Sequence, residues 1–111
     1  MPASISKIDF LIAPKKNNLK KRKFFKKTLI KTGIKETYWV NHNEDVVDLA
    51  VKIFKKNKDK IKKCDGIIFV TQTPRYLLPS CSCIVQDKLK LSKNIMTFDI
   101  NMGCSGFVHA L

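Results

Sequence analysis

Gly66-Ile67-Ile68-Phe69-Val70-Thr71 is apolar at almost every consecutive position and is entered from Asp65. A strand with one wet face alternates apolar and polar residues. A strand apolar on both faces belongs in a sheet covered on both sides. A second run of this kind spans residues 95–100 and carries Ile95, Met96, Phe98 and Ile100. Between the two, Pro79 and Ser80 open a helix expected to reach about Leu91, with Cys81, Ile84, Val85 and Leu89 at helical spacing. Strand, helix and strand in succession predict a parallel pair joined by a helical crossover.

The same alternation extends in both directions. Ile5 to Ala13 alternates around Ile8, Phe10 and Ile12 before Pro14 and is expected to form a short strand. Residues 15–31 read as a basic helix or loop, with Leu19, Phe24, Phe25, Leu29 and Ile30 as apolar contacts. Thr32-Gly33-Ile34 signals a turn. Residues 35–43 read as irregular, with Tyr38, Trp39 and Val40 buried. Asn43 is the expected N-cap of a helix running to about Lys58, with Val46, Leu49, Ala50, Ile53 and Phe54 on one face. Together these elements predict an α/β layered fold with a largely parallel sheet.

Charge and cysteine usage narrow the function classes. The formal net charge is +13, and residues 1–63 hold 18 Lys/Arg against 6 Asp/Glu. A block of this kind suits nucleic acid, an acidic protein or a phosphorylated ligand. Arg22 and Arg75 are the only arginines, so the block reads as lysines solvating exposed faces. No apolar run approaches the roughly 18 residues of a membrane span. The first 14 residues lack the pattern of a secretory signal. Cys64, Cys81, Cys83 and Cys104 are scattered, as in a reducing cytoplasm. The sequence stops at Leu111 inside an apparent helix with no cap, which reads as a truncation.

Chemistry concentrates at Asp99-Ile100-Asn101-Met102-Gly103-Cys104-Ser105-Gly106-Phe107. Here the second apolar strand breaks into a glycine-flanked cysteine, and a helix is expected over residues 107–111. A strand-to-helix turn aims backbone N–H groups at the side chain it carries, and their partial positive charge favours the thiolate. Cys104 is therefore the candidate nucleophile.

Several segments, in this order and spacing, resemble a known family: Thr32-Gly33-Ile34-Lys35-Glu36, Asp48-Leu49-Ala50, Asp65-Gly66-Ile67-Ile68 through Thr71-Gln72-Thr73-Pro74, Leu78-Pro79-Ser80, Val85-Gln86-Asp87-Lys88-Leu89, and Phe98-Asp99-Ile100 into Cys104-Ser105-Gly106-Phe107. Residues 32–111 resemble the N-terminal part of a β-ketoacyl-[acyl-carrier-protein] synthase III of the thiolase superfamily. Residues 1–31 match it weakly. The resemblance implies a thiolase-like fold of α-β-α-β-α layers, of which residues 1–111 form an incomplete first half and a partial N-terminal domain.

The resemblance also implies a reaction. Cys104 takes an acyl group from an acyl-CoA as a thioester, with its own backbone N–H helping to form an oxyanion hole. Decarboxylative condensation with malonyl-acyl-carrier protein follows, in fatty acid biosynthesis. Acyl-CoA and the carrier protein enter as substrates, with no further cofactor and no metal. A homodimer, a cytoplasmic location, and no membrane or nucleic-acid partner are implied as well. The family also uses a histidine and an asparagine that match nothing in these 111 residues; His42 and His109 are not at the family position. The chain alone is therefore expected not to complete condensation.

Two departures concern the acyl donor. Thr37 stands where members often carry arginine, and Lys26-Lys27-Thr28 occupies the neighbourhood of a CoA-stacking tryptophan, which Trp39 does not replace. Lys31 is the expected contact for a CoA phosphate. A truncated, non-catalytic remnant and a basic nucleic-acid-binding protein are the rival readings.

The remaining candidates have plainer roles. Cys81 and Cys83, two positions apart on a helix, point to different faces and do not share a metal. Cys64 is expected to pack before its strand, and Asp99 to act as a turn or cap acceptor. His42 and His109 are expected at the surface. Phe24 and Phe25 are expected to seat a helix on the core rather than stack on bases.

Overall fold

The computed structural model describes residues 4–18 and 30–111, and the chain divides into two units, residues 1–44 and residues 45–111. In the first unit, β1 (Lys15–Asn18) pairs antiparallel with β2 (Glu36–Trp39), with Lys15 opposite Trp39 and Lys16 opposite Tyr38. The expected strand at Ile5–Ala13 is absent, and Ile8 and Phe10 are 80% and 76% exposed. An alternating pattern becomes a strand only where a partner accepts its hydrogen bonds, and β2 pairs beyond Pro14 instead. Tyr38 and Trp39, expected to be buried, are exposed on this hairpin. The rest of the expected basic helix, residues 19–29 with Phe24 and Phe25, lies outside the described residues. The turn at Gly33 is present, with φ at 69°. Glycine adopts that conformation without the steric cost of a Cβ.

The second unit is built on β3 (Gly66–Val70) and β4 (Met96–Ile100), which pair in parallel in the register Ile67–Thr97, Ile68–Phe98 and Phe69–Asp99. α1 (Val46–Lys56) precedes β3, followed by the short α2 (Lys58–Ile61). α3 (Cys81–Lys88) makes the crossover, and α4 (Gly106–Ala110) follows β4. The helix expected to reach Lys58 without a break is divided at Asn57, whose side-chain amide donates to the Ile53 carbonyl at 3.1 Å. Asp45, not Asn43, caps α1. It accepts from Val47 and Asp48 N–H, while the Asp48 carboxylate accepts from the Asp45 N–H, a reciprocal capping box.

Val47, Val51, Phe69, Cys81 and Val85 form the core between α1, α3 and one face of the strand pair. That face is covered, and the other only in part, where Gly106 of α4 stands against Val70 at the strand end. Ile68 and Phe98, side by side on the other, are 42% and 39% exposed. The double-sided burial expected from the apolar run is therefore complete on one side and partial on the other.

α3 stops earlier than Leu91. Lys90 takes φ 52°, its N–H donates to the Asp87 carbonyl at 3.0 Å, and the Leu91 N–H donates to the Gln86 carbonyl at 3.1 Å. These two bonds close a helix end of the Schellman type, with lysine where glycine is the common choice.

Arg75, in the loop after β3, joins the two ends of this core. Its guanidinium pairs with both Asp45 oxygens and with Asp48 at 2.5 Å, and Lys88 Nζ donates to the other Asp48 oxygen at 2.8 Å. Hydrogen bonding to Arg75 holds the Asp45 carboxyl down at about 2, and Lys88 lowers Asp48. A depressed carboxyl pKa contributes stability above its unfolded value near 4 and loses it as pH falls through the folded value. Urea midpoints are thus expected to drop between about pH 4 and pH 2, and Asp45→Asn to flatten that drop. Equal slopes in the two proteins would remove Asp45 from the account.

Candidate functional site

Cys104 lies in the turn between the C-terminal end of β4 and the first residue of α4, and its side chain is exposed. Ile100 ends the strand, and the Gly106 N–H donates back to the Gly103 carbonyl at 2.9 Å. The turn is pressed against β3. A Cβ on Gly106 would stand 2.5 Å from Val70 Cγ1, and one on Gly103 would stand 2.7 Å from Gln72 Nε2. Close approach requires the glycine at 106, whereas the Gln72 side chain facing Gly103 is exposed and can move. The Thr71 N–H donates to the Ile100 carbonyl at 3.2 Å and joins the two strand ends beneath it.

The helix after the cysteine spans Gly106–Ala110 rather than 107–111, with Ser105 before it. His109 Nδ1 lies 2.9 Å from the Ser105 carbonyl on that helix, and its ring is at the surface, as expected. His42 is exposed in the first unit.

Asp99 is a cap. Its two oxygens accept from Cys81 N–H at 2.6 Å and Ser82 N–H at 2.9 Å, and the Ser80 hydroxyl accepts from Cys83 N–H at 3.4 Å. The first three donors of α3 are all satisfied, two of them by a strand residue.

The other cysteines divide by environment. Cys81 is fully buried, and desolvation pushes its thiol up. Cys83 is exposed on the other side of α3 and shares a 3.2 Å hydrogen bond with the Thr97 hydroxyl. Hydrogen bonds from Ser80 and Thr97 lower its pKa. Cys83 is thus a second accessible thiol. Its signal was present in Ser80, three residues before it, but the Thr97 contact is long-range. Cys64, expected to pack, is exposed, with Sγ 3.5 Å from the Lys60 carbonyl. No group of three or more metal-binding side chains occurs among the described residues. No described helix is long and apolar enough to cross a membrane.

A parallel strand pair with a helical crossover, delivering an exposed thiol at its C-terminal end, is an arrangement suited to covalent catalysis. The chain is similar in sequence and in fold to known proteins. No protein-family profile matches the chain. It is 44% identical over 85 residues to β-ketoacyl-[acyl-carrier-protein] synthase III of Clostridium perfringens, and 41% identical over 85 residues to the protein of that name from Wolbachia pipientis. Both alignments cover 73% of this chain, and the chain spans about a quarter (26%) of the length of these curated relatives. Among solved structures, a 3-oxoacyl-(acyl-carrier protein) synthase from Burkholderia xenovorans superposes with a TM-score of 0.75 at 27% identity, over 89% of this chain and 31% of that one. The 3-oxoacyl-[acyl-carrier-protein] synthase III of Aquifex aeolicus gives 0.73 at 27% identity, over 89% and 34%.

Proposed function

We propose that this chain, a thiolase-like segment similar to β-ketoacyl-[acyl-carrier-protein] synthase III, accepts an acyl group on Cys104 from an acyl-CoA. The observation that carries the reading is the exposed Cys104 thiol, held between two close-packed glycines where β4 turns into α4. The thiolate sulfur attacks the thioester carbonyl carbon. The negative charge that develops on the carbonyl oxygen is met by backbone N–H at the turn. The bond from carbon to the CoA sulfur then breaks. The acyl group stays on Cys104 as a new thioester, and the CoA thiolate leaves and takes up a proton.

In a longer family member the acyl group would go on to condense with malonyl-acyl-carrier protein. That step draws on a histidine and an asparagine with no match here, so the reading for this chain is confined to the transfer onto Cys104. Lys31, exposed in the first unit, is the proposed CoA phosphate contact. Acyl-carrier protein as partner, a homodimer and a cytoplasmic setting belong to the same reading.

Incubation with a labelled acyl-CoA, followed by mass-spectrometric mapping, tests it. The adduct is expected on Cys104, and Cys104→Ser is expected to reduce labelling at least about 100-fold. Labelling of Cys83 or Cys64 in preference, or labelling that survives in Cys104→Ser, would overturn the assignment.

A further inference from the structure

Gln72 follows β3 at the strand end where Cys104 stands, and its main chain is fastened on both sides. Thr71 before it is buried, with its N–H donating to the Ile100 carbonyl at 3.2 Å. The Thr71 hydroxyl accepts from the Thr73 N–H at 3.1 Å and closes a turn across Gln72. The Gln72 side chain is not held in this way. It is exposed, and its carboxamide makes no hydrogen bond among the described residues.

The carboxamide nonetheless has a seat. Nε2, Cδ and Oε1 lie 2.7, 3.0 and 3.2 Å from the point where a Cβ on Gly103 would stand, so the amide head lies across the bare face of that glycine. A side chain at 103 would push it off. The next peptide unit carries the Cys104 N–H, a proposed donor to the thioester oxygen. An amide N–H₂ with its donors unspent therefore stands beside the place where negative charge develops in acyl transfer. A carboxamide donates there without bringing a charge of its own, and asparagine and glutamine side chains are suited to oxyanion binding for that reason.

We propose, on the reading that Cys104 accepts an acyl group, that Gln72 Nε2 donates a hydrogen bond to the thioester carbonyl oxygen alongside the backbone N–H groups of the turn. The bond strengthens as the sulfur adds to the carbonyl carbon and negative charge builds on the oxygen, and it weakens again once the carbonyl re-forms in the acyl-cysteine. A donor with no partner in the protein breaks no internal hydrogen bond when the substrate arrives.

The test follows acyl-CoA labelling of Cys104 over time and acyl-CoA concentration in the 111-residue chain and in its Gln72→Met and Gln72→Ala variants. Methionine keeps the length of glutamine and removes the donor. A lost oxyanion donor costs about 100- to 1,000-fold in a water-excluded site and less where water competes, so both variants are expected to lower the maximal rate at least about 10-fold. The half-saturating acyl-CoA concentration is expected to stay within about 2-fold, because the bond matters most in the transition state. Alkylation by iodoacetamide, mapped at Cys104, passes through no oxyanion and is expected to keep its rate within about 2-fold, which separates a lost donor from a general effect on the thiol. Acyl labelling within about 2-fold of the original rate, equal slowing of acylation and alkylation, or a change confined to half-saturation would each overturn the proposal and leave Cys104 as the acyl acceptor. Absence of Cys104 labelling in the unchanged chain would overturn the acyl-transfer reading and this proposal with it.

Discussion

Asp99→Ala is expected to lower the unfolding free energy by about 2–4 kcal/mol, a large share of what a domain of this size has to lose. The reason lies in where its oxygens go. Cys81 and Ser82 are both fully buried, and their N–H groups reach no water; each donates to one Asp99 oxygen. Truncation orphans both donors at once, at about 1–3 kcal/mol each, and removes an anion from the positive end of α3. Asp99→Asn keeps one acceptor but turns an amide N–H₂ toward the second donor, so it is expected to recover less than half of the loss. Urea denaturation of the three proteins measures this directly. A loss below about 1 kcal/mol in Asp99→Ala would mean that the helix start finds other partners. Because Asp99 ties β4 to α3 one residue before the strand ends, acyl labelling of Cys104 should also slow in Asp99→Ala.

The contrast between Asp99 and Arg75 shows which parts of this molecule are legible in its sequence. Asp99 reads as a cap acceptor because a carboxylate near the end of an apolar strand has few uses other than a nearby helix start or turn. Arg75 reads only as a loop residue. Its partners Asp45 and Asp48 lie 30 and 27 positions away, and no local period records a contact of that range. β3, β4 and α3 were visible because burial imposes a period on a chain, and the parallel pairing followed from the crossover between them. The first unit was misread for the converse reason. Its hairpin buries little, so Tyr38 and Trp39 looked like core residues but lie exposed, and the weak alternation at Ile5–Ala13 had no partner strand. At Asn43-Glu44-Asp45 the composition allowed more than one cap. The reciprocal bond to Asp48, three residues on, selects Asp45. The position of Cys104 was legible because glycines on both sides of a cysteine at a strand end leave few other conformations. That Gly106 sits against Val70 was not, since the contact spans the sheet.

That contact makes Gly106→Ala the second change with a large expected effect. The added methyl would stand 2.5 Å from Val70 Cγ1 and 3.3 Å from Met102 Cβ, and neither neighbour can swing clear as a long surface side chain can. Overpacking of this kind costs about 1–3 kcal/mol. Gly103→Ala meets the end of the exposed Gln72 side chain, which can rotate away, and is expected to cost less than about 0.5 kcal/mol. If the clash with Val70 is the cause, Val70→Ala should make Gly106→Ala cheaper: the double variant should be more stable than the sum of the single losses predicts, by at least about 1 kcal/mol. Additive losses would place the cost in the backbone of α4 instead. The functional consequence follows from distance. Gly106 is two residues from Cys104, and relief of the clash by moving α4 shifts the thiol relative to the backbone N–H groups proposed to receive the thioester oxygen. A displacement near 1 Å costs about 100-fold in reactions that depend on such alignment. Acyl labelling should therefore fall further in Gly106→Ala than its loss of stability alone accounts for, and return toward the original rate in the double variant. The two glycines around Cys104 would then differ in role, one set by the helix packed on Val70 and the other by a side chain free to leave.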